Sequence, residues 1–139
     1  MSKLVMMKGL PFSGKTEWAT KWANEKANRL RLSWSDLLTM MGDRYRRERR
    51  PIAFDGMLRM MTTALHEGND VVIDECNLNG FEWGLIVVRA QECKAKVEWH
   101  TMKTTAEECK RRARAAGSHI SDMEIDRLAQ RWEVWLKQK

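Results

Sequence analysis

The sequence predicts an α/β fold built on a parallel sheet, and three observations carry that prediction. Short apolar runs suited to buried parallel strands, Lys3–Lys8 and Val71–Ile73, alternate with longer stretches of helical periodicity. The first of these runs leads directly into Gly9-Leu10-Pro11-Phe12-Ser13-Gly14-Lys15-Thr16, and a helical stretch beginning Glu17-Trp18-Ala19 follows. An acidic pair, Asp74-Glu75, stands at the carboxyl end of the Val71 run, the end at which open α/β sheets bind ligands.

The Gly9–Thr16 segment fits G-x-x-x-x-G-K-[ST], the Walker A or phosphate-binding loop of nucleotide hydrolases and kinases. Its two glycines let the backbone turn N–H groups inward around an anion. Lys15 can reach the β- and γ-phosphates, and the Thr16 hydroxyl can sit on Mg²⁺. The helix that starts here adds its own N-terminal attraction for phosphate. Gly9, Pro11, Phe12, Ser13, Gly14, Lys15, Thr16 and Glu17 are therefore the expected nucleotide-binding residues. The alternative is a plain glycine-rich turn before a helix.

Composition bounds the class. A chain of 139 residues suits one domain, expected over 1–139, and 43% hydrophobic content is enough for a core. No repeat, linker or low-complexity tract is visible, and no apolar run approaches membrane-spanning length. With the motif beginning at Gly9, no signal peptide is expected. Cys76, Cys93 and Cys109 are an odd number without metal-ligand spacing, and they read as reduced thiols of a cytoplasmic protein. The formal charge of +6 is compatible with a polyanionic partner, although nucleotide phosphates alone also favour a basic cleft.

Along the chain, the first helix is expected over about Gly14 to Ala27, with Trp18, Ala19 and Trp22 towards the core. Arg29–Ser33 alternates as a second strand. Ser33, Ser35 and Asp36 precede the apolar run Leu37–Met41 and carry N-cap and first-turn signals. Asp36 also lies just past a strand end, where a carboxylate facing the γ-phosphate could accept the proton of an attacking hydroxyl. Position alone leaves cap and base open. Asp43–Arg50 is the most basic stretch; it reads as a solvated face, with a nucleic-acid backbone and a stacking Tyr45 as the alternative. Phe54, Met57, Leu58, Met61 and Leu65 predict a core-facing helix over Ile52–Glu67, with Gly68 after it.

Asp74 after the Val71 strand is assigned to Mg²⁺, and Glu75 to the metal or to orienting substrate or water. Asn77-Leu78-Asn79 then caps a helix over about Gly80–Glu92, with Phe81, Leu85, Ile86 and Val88 inward. Lys96–Met102 alternates as a strand, and its His100 receives no role. Thr104 with Glu107 and Thr105 with Glu108 form overlapping capping boxes for a helix ending near Gly117. Within it Arg111 and Arg114 are three apart and share a face. They read either as a solvated face or as lid arginines closing over the nucleotide. A last helix after Ser121 carries Ile125, Leu128, Ala129, Trp132, Trp135 and Leu136 on one face.

These features form one series, and in that order and spacing the chain resembles the kinase domain of bacteriophage polynucleotide kinase and related small P-loop kinases. The resemblance spans Leu4 to about Trp135. Its most specific part is Asp74-Glu75-Cys76-Asn77-Leu78-Asn79, similar to that family's Asp-Thr-Asn-Leu-Asn with Cys76 in place of Thr; Phe54-Asp55 is a further match. The resemblance implies a three-layer fold with a four-stranded, mainly parallel sheet, helices on both faces and an Arg-bearing helical lid over about 104–120. It implies transfer of the γ-phosphate of ATP, with Mg²⁺, to a nucleic-acid 5′-hydroxyl. It also implies a general base on or next to Asp36, and lid arginines in the Lys110–Arg114 region, Arg111 and Arg114. Two positions depart from the pattern: Ser35 stands where the first of two acids is expected, and Leu38 where an arginine meets substrate phosphate. No phosphatase or ligase domain is expected.

The expectation is thus an ATP-dependent phosphotransferase of phage type. Lys15, Asp36, Arg111 and Arg114 are its catalytic residues, Arg111 also contacts nucleotide, and Thr16, Asp74 and Glu75 form the metal side. Single-stranded or end-exposed nucleic acid is the expected acceptor. The rivals are a small-molecule or nucleoside kinase, and a nucleotide-dependent nucleic-acid-binding protein with little turnover.

Overall fold

The computed structural model of the chain describes residues 1–42 and 46–137, with side chains described as far as Glu133. The elements are β1 (Lys3–Lys8), α1 (Lys15–Asn24), β2 (Arg29–Leu32), α2 (Trp34–Met40), a 3₁₀ turn (Arg47–Arg49), α3 (Arg50–His66), β3 (Asp70–Ile73), α4 (Gly80–Glu92), β4 (Lys96–Thr101), α5 (Ala106–Ala115) and α6 (Asp122–Lys137). The four strands form one sheet in the order β2-β3-β1-β4. All three ladders are parallel, with Leu4 opposite Val71 on one side and Val97 on the other. The expected four-stranded parallel sheet, with helices on both faces, is what the chain builds.

Alternation along β1 divides the core. Val5 and Met7 face α1, where they meet Ala19, Trp22 and Val72. Leu4 and Met6 face the other way, against Met57 and Met61 of α3 and Ile86 of α4. A third cluster of Leu10, Cys109, Ala113 and Ile125 ties the glycine loop to α5 and α6. Because β1 is central and covered on both faces, its residues from Leu4 to Lys8 are all buried, which explains its unbroken apolar run. The exception is Lys8, whose ammonium lies 4.7 Å from the Trp99 ring and 5.2 Å from Trp83.

Three expectations need correction. The first helix stops at Asn24 rather than near Ala27, because the Glu25 N–H already turns back to the Trp22 carbonyl. On α4 only Ile86 of the four expected inward residues is buried; Phe81, Leu85 and Val88 are exposed at 77, 43 and 52%. The stripe that packs is Trp83, Ile86, Val87 and Ala90. Both stripes have helical spacing, so periodicity does not choose between them. The helix expected from Ile52 starts earlier: Arg50 already opens α3, with Pro51 in the first turn, where its missing N–H costs nothing. Tyr45, with Asp43 and Arg44, lies outside the described residues, as do the side chains of Trp135 and Leu136.

Candidate active site

The Gly9–Thr16 loop crosses from β1 to α1 at the carboxyl edge of the sheet. Gly14 has φ of 96°, a left-handed conformation that side chains rarely adopt, and a Cβ at Gly9 would stand 2.7 Å from Ser13 Oγ. Lys15 Nζ donates to the Leu10 carbonyl at 2.7 Å, which curls the ammonium over the loop. Thr104 Oγ1 donates to the Ser13 carbonyl at 2.8 Å and anchors the loop to the segment after β4. A cleft of about 480 Å³ lies here, bounded by Phe12, Gly14, Lys15, Thr16, Glu17 and Arg112. It is lined by a cationic ammonium and a guanidinium at a helix N-terminus, a setting suited to phosphate.

The carboxylates follow from β2 and β3. The side chain of Arg31 lies on the same face of β2 as that of Arg29, opposite to Leu32 in the core. Its Nε donates to Asp74 Oδ2 at 2.8 Å, and its Nη1 to Asp36 Oδ2 at 2.7 Å. Thr16 Oγ1 donates to the same Asp74 oxygen at 2.8 Å. One connected line, Thr16–Asp74–Arg31–Asp36, therefore runs from the phosphate loop to the start of α2. Burial opposes the charge on Arg31, but its bonds to Asp36 and Asp74 outweigh that and hold its pKa above the ordinary value. Asp74 is 4% exposed.

Asp36 is not the helix cap. Ser33 caps α2 by accepting from the Asp36 N–H at 3.2 Å, which leaves the Asp36 carboxylate free to meet Arg31 in the open. Glu75 does something different from Asp74. Its carboxylate accepts from Ser35 Oγ at 2.6 Å, from Ser33 Oγ at 2.9 Å and from the Ser35 N–H at 3.3 Å. Burial pushes its pKa above the usual carboxylate range, and the serine hydrogen bonds offset part of that rise. In this structure Glu75 thus links the end of β3 to the start of α2. Asn77, at a positive φ of 54°, pins the following turn through its bonds to the Met7 and Glu75 carbonyls. Burial also pushes the Cys76 thiol up.

The arginines of the expected Lys110–Arg114 lid region have different surroundings. Arg111 pairs with Glu108 of its own helix, and Arg114 with Asp122 at 2.6 Å; both are well exposed. Arg112 is the one that reaches the loop, donating from Nη1 to the Phe12 carbonyl at 3.3 Å while its Nε meets Glu108 at 3.1 Å. The reason lies in what α5 buries. Cys109 and Ala113 turn inward against Leu10, and Arg112 flanks that face beside the loop. Hydrogen bonds from Arg111 and Arg112 draw the Glu108 carboxyl down to about 2.

For Mg²⁺, the donors present are hard oxygens, the Thr16 hydroxyl and Asp74 Oδ2, set against each other beside the loop. Among the described residues no group of three His, Cys, Asp or Glu side chains forms a cage. Few protein oxygens next to a phosphate cradle suit an ion that keeps several waters and uses substrate phosphates as ligands. Sequence reasoning missed Arg31 and Arg112. Strand alternation grouped Arg31 with Arg29, but nothing local pointed to its two carboxylate partners.

The fold recurs among solved structures of small kinases. One chain of the "Structure of the Pnkp1/Rnl/Hen1 RNA repair complex" superposes with a TM-score of 0.87 at 19% identity, over 99% of this chain and 46% of that one. The present chain thus spans less than half the length of that relative. A putative kinase from Chloroflexus aurantiacus gives 0.74 at 15% identity, over 91% of this chain and 74% of that one. The Mycobacterium tuberculosis APS kinase CysC, in complex with AMPPNP and APS, gives 0.62 at 17% identity, over 81% and 68%. No curated protein matches the sequence significantly. With its sheet order, glycine loop and strand-end carboxylate, the protein has the α/β fold of the small P-loop kinases. By sequence it belongs to a family described as an AAA domain (AAA_33), which it matches over residues 4–134.

Proposed function

We propose that the protein is an ATP-dependent phosphotransferase that moves the γ-phosphate of ATP to a hydroxyl, with a nucleic-acid 5′-hydroxyl as acceptor. The observation that carries this reading is the Thr16–Asp74–Arg31–Asp36 line. It joins a phosphate cradle to a solvent-accessible carboxylate on the far side of the strand ends. The loop N–H groups and Lys15 hold the β- and γ-phosphates, and Arg112 faces the same cleft. Thr16 and Asp74 would hold Mg²⁺, which supplies charge neutralisation for the leaving diphosphate. Asp36 takes the proton of the acceptor hydroxyl as its oxygen bonds to the γ-phosphorus and the bond to ADP breaks. Lys15 and Arg112 meet the charge that spreads over the transferring group.

Nucleic acid as acceptor is supported by the net charge of +6 and by the similarity to a chain of an RNA repair complex. A small hydroxylated acceptor is the second reading. Leu38 favours it, being 3% exposed in the core and offering no cation to a substrate phosphate. The neighbours with small-molecule kinase titles, CysC and a gluconokinase from Sinorhizobium meliloti, favour it as well. An acceptor screen with γ-labelled ATP separates the two. Label on a 5′-hydroxyl oligonucleotide supports the first reading. Brisk labelling of small alcohols with none on the oligonucleotide overturns it and leaves the phosphotransferase standing.

A further inference from the structure

One residue of the phosphate loop other than glycine has a left-handed backbone: Phe12, at φ 65°. Among the described residues, Asn77 and Lys94 are the other non-glycines in that region. Asparagine tolerates it, and Lys94 ends α4 with its N–H on the Gln91 carbonyl, a common way for a helix to stop. A bulky aromatic residue inside a loop has neither reason. For an L-residue the left-handed form is disfavoured by about 5- to 30-fold in an equilibrium constant, so other contacts must hold Phe12 there. They come from α5. Arg112 Nη1 donates to the Phe12 carbonyl at 3.3 Å. The half-buried ring packs against the cluster that Cys109 and Ala113 of α5 form with Leu10 and Ile125. The next carbonyl, that of Ser13, accepts from Thr104 Oγ1 at 2.8 Å, one residue before the Thr105 cap of α5. Phe12 also borders the cleft that holds Lys15 and Thr16.

Resting on the nucleotide-binding half of the phosphotransferase reading, we propose that Phe12 is a positioning residue that makes the binding shape of the phosphate loop depend on α5. While α5 is docked, its contacts hold Phe12 in the left-handed form, and the cradle beside Lys15 keeps its shape. When α5 moves away, ring and carbonyl lose their partners together, Phe12 relaxes to negative φ, and the cradle is lost. Loop and helix are then coupled in both directions. Nucleotide in the cleft holds α5 in place, and a docked α5 tightens nucleotide binding. The same coupling brings Arg112 to the cleft when the cradle is formed.

Three variants separate the ring from the backbone. Phe12→Ala removes the ring and keeps the disfavoured φ, Phe12→Gly removes both, and Phe12→Leu keeps an apolar side chain. Titration calorimetry gives the Mg²⁺–ATP affinity of each, and hydrogen exchange gives the opening of the Cys109–Arg114 amides. Arg59→Gln, an exposed arginine of α3 paired with Asp55, is the control and should match wild type. Phe12→Ala should bind Mg²⁺–ATP about tenfold more weakly than wild type. Phe12→Gly should bind at least about threefold more tightly than Phe12→Ala, because glycine adopts positive φ without strain. Both should exchange the α5 amides about tenfold or more faster than wild type, and Phe12→Leu should stay within about threefold of it in both measurements. Thermal midpoints show whether each variant is folded. Phe12→Gly binding no more tightly than Phe12→Ala overturns the proposal, and so does wild-type exchange of α5 in both. Where Phe12→Ala does not fold, Phe12→Gly decides alone: faster exchange of α5 supports the proposal and wild-type exchange overturns it. A wild type that binds no Mg²⁺–ATP is a separate outcome: it removes the nucleotide-binding reading and the proposal with it.

Discussion

Arg31 and Asp74 are joined at 2.8 Å, and the same guanidinium holds Asp36 at 2.7 Å. One side chain from β2 thus sets the spacing between the carboxylate that meets Thr16 and the exposed carboxylate in the first turn of α2. Asp74 is 4% exposed, so these partners compensate the burial of its carboxylate. Arg31→Ala is expected to destabilise the metal-free protein by about 1–3 kcal/mol, because it leaves a buried carboxylate short of a cation. A double-mutant cycle with Asp74→Asn should return a coupling of about 0.5–3 kcal/mol in urea unfolding. Adding Mg²⁺–ATP should then raise the thermal midpoint more in Arg31→Ala than in wild type, because the metal supplies the missing positive charge. Equal increments would mean that Arg31 does not act on Asp74.

Arg112, rather than Arg111 or Arg114, touches the phosphate loop. Arg112→Gln should lower turnover by about 10²-fold or more, in line with arginines that stabilise charge on a transferring phosphoryl group. Arg111→Gln and Arg114→Gln remove exposed pairs and should stay within about threefold of wild type. Steady-state kinetics of the three variants decides it. A larger loss at Arg111 or Arg114 would show that α5 turns when nucleotide binds.

Asp36→Asn tests the proposed base. It should cut transfer by about 10²–10⁴-fold at saturating ATP while leaving ATP affinity nearly unchanged. Changed binding with intact turnover would assign the side chain to positioning instead.

His100 stacks on Trp18 at 3.8 Å, and burial lowers its pKa below 6.5. The unfolded chain therefore binds this proton more readily than the native state does. The stability that His100 contributes is fully present above about pH 6.5 and is lost as pH falls through its lower native value. His100→Phe keeps the stack and removes the proton, so its unfolding free energy should fall less than that of wild type between pH 7 and pH 5. Parallel pH profiles would show that another group is responsible.

What was legible in the sequence was local. The glycine loop and the strand-end acids needed only neighbours in the chain: a strand before, a helix after, and β-branched residues ahead of Asp74. The parallel sheet followed from the same runs. Arg31 was illegible because its role depends on Asp36 and Asp74, which meet only when β2 lies beside β3. Arg112 was passed over because the face of α5 is set by Cys109 and Ala113, two weak hydrophobic markers within a basic helix. On α4 two apolar stripes had equal claim, and only the packing of Ile86 and Ala90 against the sheet selected one. The contacts of Glu75 were illegible because the serines it accepts from stand at the start of α2, about forty residues earlier in the chain.

The loop and its carboxylates are proposed to move the γ-phosphate of ATP to a nucleic-acid 5′-hydroxyl. The most direct measurement is the fate of the γ-phosphate of labelled ATP in the presence of Mg²⁺ and a 5′-hydroxyl oligonucleotide, for wild type and Lys15→Ala. Label is expected at the 5′ end of the oligonucleotide, lost in Lys15→Ala together with most ATP affinity. Label appearing only as inorganic phosphate, or equal transfer by Lys15→Ala, would contradict it.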